Sequence, residues 1–187
     1  MSLLILDNKD SFTYNIVDSL RKMGIKKIII SSNPDNEIIN KAEKIIFSPG
    51  PGLPNEFPLM YQILAKYHKK KPILGICLGH QALASFFGAH LYQLIIPIHG
   101  QPHKIYLKHN KSKIFKALPK EFTVGLYHSW AVDKKSIKRP LRIDAISEYG
   151  VVMAISHRKF PLFGIQFHPE SYISDYGLDL LKNFVSL

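Results

Sequence analysis

The chain has 187 residues, 46% of them apolar, and carries 25 Lys+Arg against 14 Asp+Glu, a formal charge of +11 with histidines neutral. A globule of this length buries roughly 70% of its unfolded surface, which speaks against disorder, and a single cysteine leaves no internal disulfide framework and no multi-cysteine zinc site. The basic runs, His68 to Lys71 and Lys134, Lys135, Lys138, Arg139, lack interleaved aromatic residues for base stacking, so the charge reads as a solvated face that steers anions and not as a nucleic-acid site.

In chain order, Leu3 to Leu6 is a short apolar run of the kind that forms a strand buried on both faces. Asp10 or Ser11 is placed to cap a following helix, in which Ile16, Val17, Leu20 and Met23 recur at helical spacing until Gly24 stops it. Ile28 to Ile30 and Ile45 to Phe47 are further strands, and the second runs into Ser48-Pro49-Gly50-Pro51-Gly52, a stiff turn in which no helix can start. A helix over Phe57 to Tyr67, a strand over Ile73 to Ile76, and a helix from Cys77 through Phe87 complete the first half.

Beyond Gly88, strand-like segments follow one another with few helices: Ala89 to Ile96, Lys104 to Leu107, Phe122 to Leu126, Leu141 to Ser147, Val151 to Ser156 and Leu162 to Phe167, then a last helix over Tyr176 to Val185. This order predicts an α/β fold: an open, mostly parallel central sheet flanked by helices, with additional antiparallel strands in the C-terminal half. No linker or repeat divides it, so residues 1–187 are expected to form one domain. The N-terminus lacks the basic region of a signal peptide, and no apolar run approaches the roughly 18 residues that cross a bilayer. These features predict a cytoplasmic protein with no membrane partner.

Function in parallel α/β sheets gathers at the carboxyl ends of strands, and Gly75-Ile76-Cys77-Leu78-Gly79 stands at such an end. G-x-C-x-G is a cysteine version of the nucleophile elbow, in which small residues on either side let a sharp strand-to-helix turn close. Sulfur at a helix start is favoured as thiolate, and the N–H of Leu78 points where an oxyanion would develop. Alone, Cys77 is equally a small buried hydrophobe.

A cysteine nucleophile needs a base, and nine histidines leave the choice open. His168 stands out, because in Gly164-Ile165-Gln166-Phe167-His168-Pro169-Glu170-Ser171 it ends a strand with Glu170 two residues on, where a carboxylate can orient an imidazole. The Ser48 to Gly52 loop lacks the Lys-Ser/Thr of a P-loop, but its stiffness suits presentation of one fixed N–H, that of Gly50; taken alone, it is a turn. No metal site is read in the sequence.

Together, GICLGHQ around Cys77, GIQFHPES around His168 and Glu170, and SPGPG after an earlier strand closely resemble the class I, triad-type glutamine amidotransferases. DNKDSFTYN (Asp7 to Asn15) and Tyr127-His128-Ser129 are similar to the branch formed by the glutaminase subunits of anthranilate synthase and aminodeoxychorismate synthase, and the resemblance runs from the first strand to the last helix. It implies that Cys77 attacks the side-chain carbonyl of L-glutamine, with His168 as base and then acid and Glu170 orienting it. It also implies an oxyanion hole from the N–H groups of Leu78 and Gly50. Gln81, Gly50, Pro51, Gly52, Ser129 and the backbone of Trp130 are implied to hold the glutamine. No cofactor is implied.

The implied partner is a chorismate-using synthase subunit: anthranilate synthase component I, or aminodeoxychorismate synthase component I for the folate branch. Ammonia is reactive only in its neutral form, and relatives pass it internally to that subunit. Two positions depart from the branch pattern, which commonly has leucine where this chain has Trp130 and lysine where it has Gln101 in His99-Gly100-Gln101.

Overall fold

The computed structural model describes residues 1–109 and 111–187. Among these, one nine-stranded sheet has the order β2-β1-β3-β4-β9-β8-β7-β5-β6. Its parallel half comprises β1 (Ser2–Leu6), β2 (Lys27–Ser31), β3 (Lys44–Phe47), β4 (Ile73–Ile76) and β9 (Leu162–Ile165). The antiparallel half adds β5 (Leu91–Leu107), β6 (Glu121–Val132), β7 (Leu141–Ser147) and β8 (Val152–His157).

The parallel strands are apolar on both faces because both faces are covered. Leu3 and Ile5 of β1 point into one core with Ile16, Val17 and Leu20 of α1 (Thr13–Lys22) and Leu180, Leu181 and Phe184 of α5 (Gly177–Val185). Leu4 and Leu6 point into the other, with Ile39 of α2 (Asn36–Lys41), Ile63 and Leu64 of α3 (Pro58–Tyr67) and Ala82 and Leu83 of α4 (Leu78–Phe86). The period of two along a strand divides one run of apolar residues between two cores. No helix among the described residues is long and apolar enough to cross a membrane.

Several local features differ from the sequence expectation, among them the strand expected over Phe122 to Leu126, which runs on to Val132. Helix α1 begins at Thr13 without a side-chain cap; Asp10 instead accepts from the N–H of Phe12 (2.8 Å), closing the turn ahead of the helix. Helix α2 is an addition, a six-residue piece capped by Asp35, whose carboxylate accepts from Ile38 N–H (2.7 Å). The two strands expected over 89–96 and 104–107 are one strand, β5, which runs through Pro97, Gly100 and Pro102 by shifting register against β6 between Gln93 and Ile98 and again between His99 and Gln101. Only Ile105 to Leu107 of β5 also pair with β7, so the prolines lie where one side of the strand has no ladder to lose.

Lys44, 6% exposed, fastens the end of α5 to the sheet, donating to the carbonyls of Phe184 (3.2 Å), Val185 (2.7 Å) and Leu187 (3.0 Å). Those of Phe184 and Val185 are among the carbonyls that a helix end leaves without an intrahelical partner, and Leu187 lies just beyond it. Lys44→Met keeps the stem and removes the donors, and is expected to lower stability by about 2 kcal/mol, read as a fall in the urea midpoint.

Candidate active site

Strands β4 and β9 lie side by side in register, Gly75 opposite Gly164 and Ile76 opposite Ile165. The pairing continues one residue further, with Cys77 N–H donating to Ile165 O (2.8 Å), and there the two chains diverge. Cys77 takes φ 51° and ψ −101° and opens α4, so the chain turns sharply and presents the side chain above the sheet edge. Two contacts make that turn possible. A Cβ on Gly75 would stand 2.3 Å from the backbone of Gly79, and one on Gly79 would stand 2.6 Å from Phe47 Cβ. The two glycines of G-x-C-x-G are therefore required by packing of α4 onto β3 and β4.

The β9 chain carries Gln166 and then His168 up to the same edge. His168 N–H donates to Gly125 O of β6 (3.2 Å), and its imidazole Nδ1 donates to Glu170 Oε1 (2.7 Å). Both side chains are buried, His168 at 2% and Glu170 at 0% exposure. The rings of Phe12 (5.1 Å between centroids) and Tyr127 (4.9 Å) flank the imidazole. Nδ1 being committed to Glu170, Nε2 is the free nitrogen; it is buried and has no hydrogen-bond partner among the described residues, and the imidazole lies within the influence of the Cys77 sulfur. Burial alone would lower the His168 pKa, but the neighbouring Cys77 sulfur, the hydrogen bond to Glu170 and the negative charge of both outweigh it and raise it to about 10.

The other predicted residues fall around this pair. Leu78 is the first residue of α4, where an N–H has no intrahelical acceptor. Gly50 lies directly against it: a Cβ there would be 2.5 Å from Leu78 Cδ2 and 2.8 Å from Asn8 Cβ. The Ser48 to Gly52 loop is pinned by Asn8, whose N–H donates to Ser48 Oγ and whose Nδ2 donates to Ser48 O, both at 2.8 Å. Pro51 and Gly52 form the exposed limb of that loop, with Gly52 packed toward the Glu56 carboxylate and not toward Cys77.

Gln81 is 3% exposed and donates through Nε2 to Trp130 O (2.8 Å) and Gln166 Oε1 (3.2 Å); Gln166 Nε2 in turn donates to Cys77 Sγ (3.5 Å). Ser129 sits in β6 opposite the register shift of β5. Gln166, Asn8 and Phe12 are members of the site to which sequence patterns assigned no role, although all three lie inside the quoted motifs. No group of three or more His, Cys, Asp or Glu able to hold a metal ion occurs among the described residues.

Two further histidines are buried beside the site. His128 on β6 turns Nδ1 to Trp130 O (2.9 Å); a carbonyl only accepts, so Nδ1 carries the proton. Burial lowers His128 to about 4 and His80 of α4 to about 3, with the nearby His128 adding to the effect on His80.

The mixed α/β sheet thus brings a buried cysteine at a strand-to-helix turn and a histidine–carboxylate pair to the ends of adjacent parallel strands. The glutamine amidotransferase class-I family profile matches residues 4–187, and the chain belongs to that family. It is 43% identical over 190 residues to a Haemophilus influenzae protein assigned as anthranilate synthase component II, covering 100% of this chain and 97% of the relative. It is 36% identical to aminodeoxychorismate synthase component 2 of Escherichia coli, covering 98% of both. Among solved structures, a Thermoplasma acidophilum protein assigned as a GMP synthase component superposes with TM-score 0.86 at 28% identity, covering 100% of this chain and 92% of the other.

The histidines set an acid limit on stability. A histidine lowered in the folded chain contributes stability in full above its unfolded value near 6.5, and the contribution is lost as pH falls toward the folded value, about 3 for His80. His168, raised to about 10, has the opposite sign: its contribution is full below about 6.5 and is lost as pH rises through about 10. Urea unfolding between pH 7 and pH 5 is expected to show stability falling on the acid side, and His80→Leu to make that slope shallower by about 1.4 kcal/mol per pH unit.

Proposed function

We propose that residues 1–187 form one glutamine amidotransferase domain that acts as the glutaminase subunit of anthranilate synthase, releasing ammonia from L-glutamine for a chorismate-using partner in the cytoplasm. The observation that carries this reading is the meeting of Cys77 with the His168–Glu170 pair at the ends of β4 and β9.

In this reading Cys77 gives its proton to His168 Nε2 and its sulfur attacks the carboxamide carbon of glutamine. The developing oxyanion accepts from the N–H groups of Leu78 and Gly50. His168 returns the proton to the leaving nitrogen, ammonia departs, and a glutamyl thioester remains on Cys77. Water then loses a proton to His168 and attacks the thioester; the sulfur leaves, and glutamate is released. Glu170 holds the imidazole with Nε2 toward sulfur and stabilises its protonated form, which the raised pKa of His168 expresses. Gln81, the Gly50 to Gly52 loop, Ser129 and the Trp130 backbone hold the amino-acid end of the substrate.

An exposed apolar patch next to the site supports the second half of the reading. In the register shift of β5, Ile95 is 100% and Ile96 76% exposed. Three residues on, the His99 ring stands edge-on to Tyr127 (5.3 Å), which packs on His168. Two adjacent isoleucines open to water, three residues along the strand from a ring that leads by way of Tyr127 to the base, fit a partner contact beside the site. The second reading, the same chemistry for aminodeoxychorismate synthase, is favoured by the 36% identity to the E. coli component 2.

Cys77→Ser is expected to lower glutamine-dependent product by at least about 10³-fold and to leave ammonia-dependent synthesis by the complex intact. Persistent glutamine use would show that another group is the nucleophile. Assayed with each synthase in turn, ammonia is expected to enter 2-aminobenzoate with the anthranilate synthase partner. Ile95→Asp is expected to weaken that pairing about tenfold or more by isothermal titration, without changing partner-free hydrolysis.

A further inference from the structure

We propose that Gln166 is a positioning residue for the nucleophile, its carboxamide N–H holding the Cys77 sulfur as thiolate and tying it to the wall of the glutamine pocket. The proposal rests on Cys77 being the nucleophile. Gln166 is 0% exposed, and its backbone N–H is already spent on Met153 O (2.9 Å), so its position is fixed by the β8–β9 ladder. Its side chain lies between two groups of the site: Nε2 donates to Cys77 Sγ at 3.5 Å and Oε1 accepts from Gln81 Nε2 at 3.2 Å.

Which end of the carboxamide faces sulfur is decided at a distance. The Trp130 carbonyl can only accept, so Gln81 must present its NH2 there (2.8 Å). The second N–H of that NH2 then meets Gln166, which answers with its oxygen. The Gln166 NH2 is thereby turned to the sulfur. A donor on sulfur stabilises the thiolate over the thiol, and inside a water-poor site its effect is larger than in solution. Cys77 thus receives two orienting contacts, the imidazole and the carboxamide. The second of these runs through Gln81 to Trp130, both assigned to the substrate wall.

Of the titratable groups around the site, His168 and its partner Glu170, from the turn after β9, bear on the sulfur, while His128 from β6 lies near His168, and His80 from α4 near His128. None of them is replaced by substitution at Gln166, so a shift in the pH response of Cys77 in the uncharged Gln166→Leu isolates the carboxamide. The probe is iodoacetamide. Its second-order rate with the folded chain is measured against pH for the wild type, Gln166→Leu and Gln166→Glu, with intact-mass and peptide analysis to place the label on Cys77.

The expected result is a midpoint raised by about one pH unit in Gln166→Leu, a tenfold loss of alkylation rate below it, and raised further in the isosteric Gln166→Glu. With glutamine, kcat is expected to fall at least tenfold while KM changes less. A residue that only fills space would lower the thermal midpoint and leave the alkylation midpoint where it was. An unchanged alkylation midpoint in Gln166→Leu overturns the proposal, whether or not Gln166→Glu shifts; if Gln166→Leu does not fold, Gln166→Met, of similar length, uncharged and without an N–H, takes its place with the same two outcomes. Failure of the wild type to release glutamate while Cys77 still alkylates would instead count against the assigned activity and leave the Gln166 comparison readable.

Discussion

Cys77 holds a backbone conformation, φ 51° and ψ −101°, that costs a residue with a Cβ about 1–3 kcal/mol. The cost is met by a hydrogen bond to Ile165 that extends the β4–β9 pairing past the end of both strands, and by two glycines that let α4 lie against β3 and β4. Most of the site follows from this one bend. It ends the strand, starts the helix that carries Leu78 and Gln81, and lifts the sulfur above the sheet edge where β9 brings up Gln166 and His168. Gly164, the partner of Gly75 across the ladder, is itself confined: a Cβ there would stand 2.7 Å from His80 Nδ1. Small residues thus face each other across the two strands that carry the reacting groups, and side chains project only beyond their ends.

Around the bend, polar groups are buried in unusual number. His80, Gln81, Gln166 and His168 are each 3% exposed or less, and the orientations of Gln81 and His168 are dictated by acceptors that cannot change role. The Glu170 carboxylate fixes Nδ1 of His168; the Trp130 carbonyl fixes both His128 and Gln81. Interactions in such an interior are stronger than in water, and an unmatched group is correspondingly costly. The outcome is one strongly basic imidazole beside two that stay neutral, although all three are buried. The company of Cys77 and the hydrogen-bonded Glu170, and not depth, sets His168 apart.

Much of this was legible in the sequence. The parallel half declares itself because strands covered on both faces must be uniformly apolar, and the G-x-C-x-G and His-Pro-Glu spacings bring their chemistry within them. Helix α2 was not legible, since six residues with Ile39 alone buried carry no periodicity; Asp35 ahead of it was the available sign. The single course of β5 was hidden by Pro97 and Pro102, which normally end strands and are tolerated here only where the strand pairs on one side. Gln166 was overlooked for a different reason. On a strand, a buried glutamine has no pattern of its own, and its meaning depends on which atoms three other elements bring to it.

Trp130 is the only tryptophan in the chain, and it stands in β6 with its carbonyl at the junction of Gln81 and His128. Indole fluorescence from this protein therefore has a single origin, a partly exposed residue on the strand that walls the site. Emission wavelength, quenching and anisotropy all report on one place, and the protein carries its own optical probe without a label.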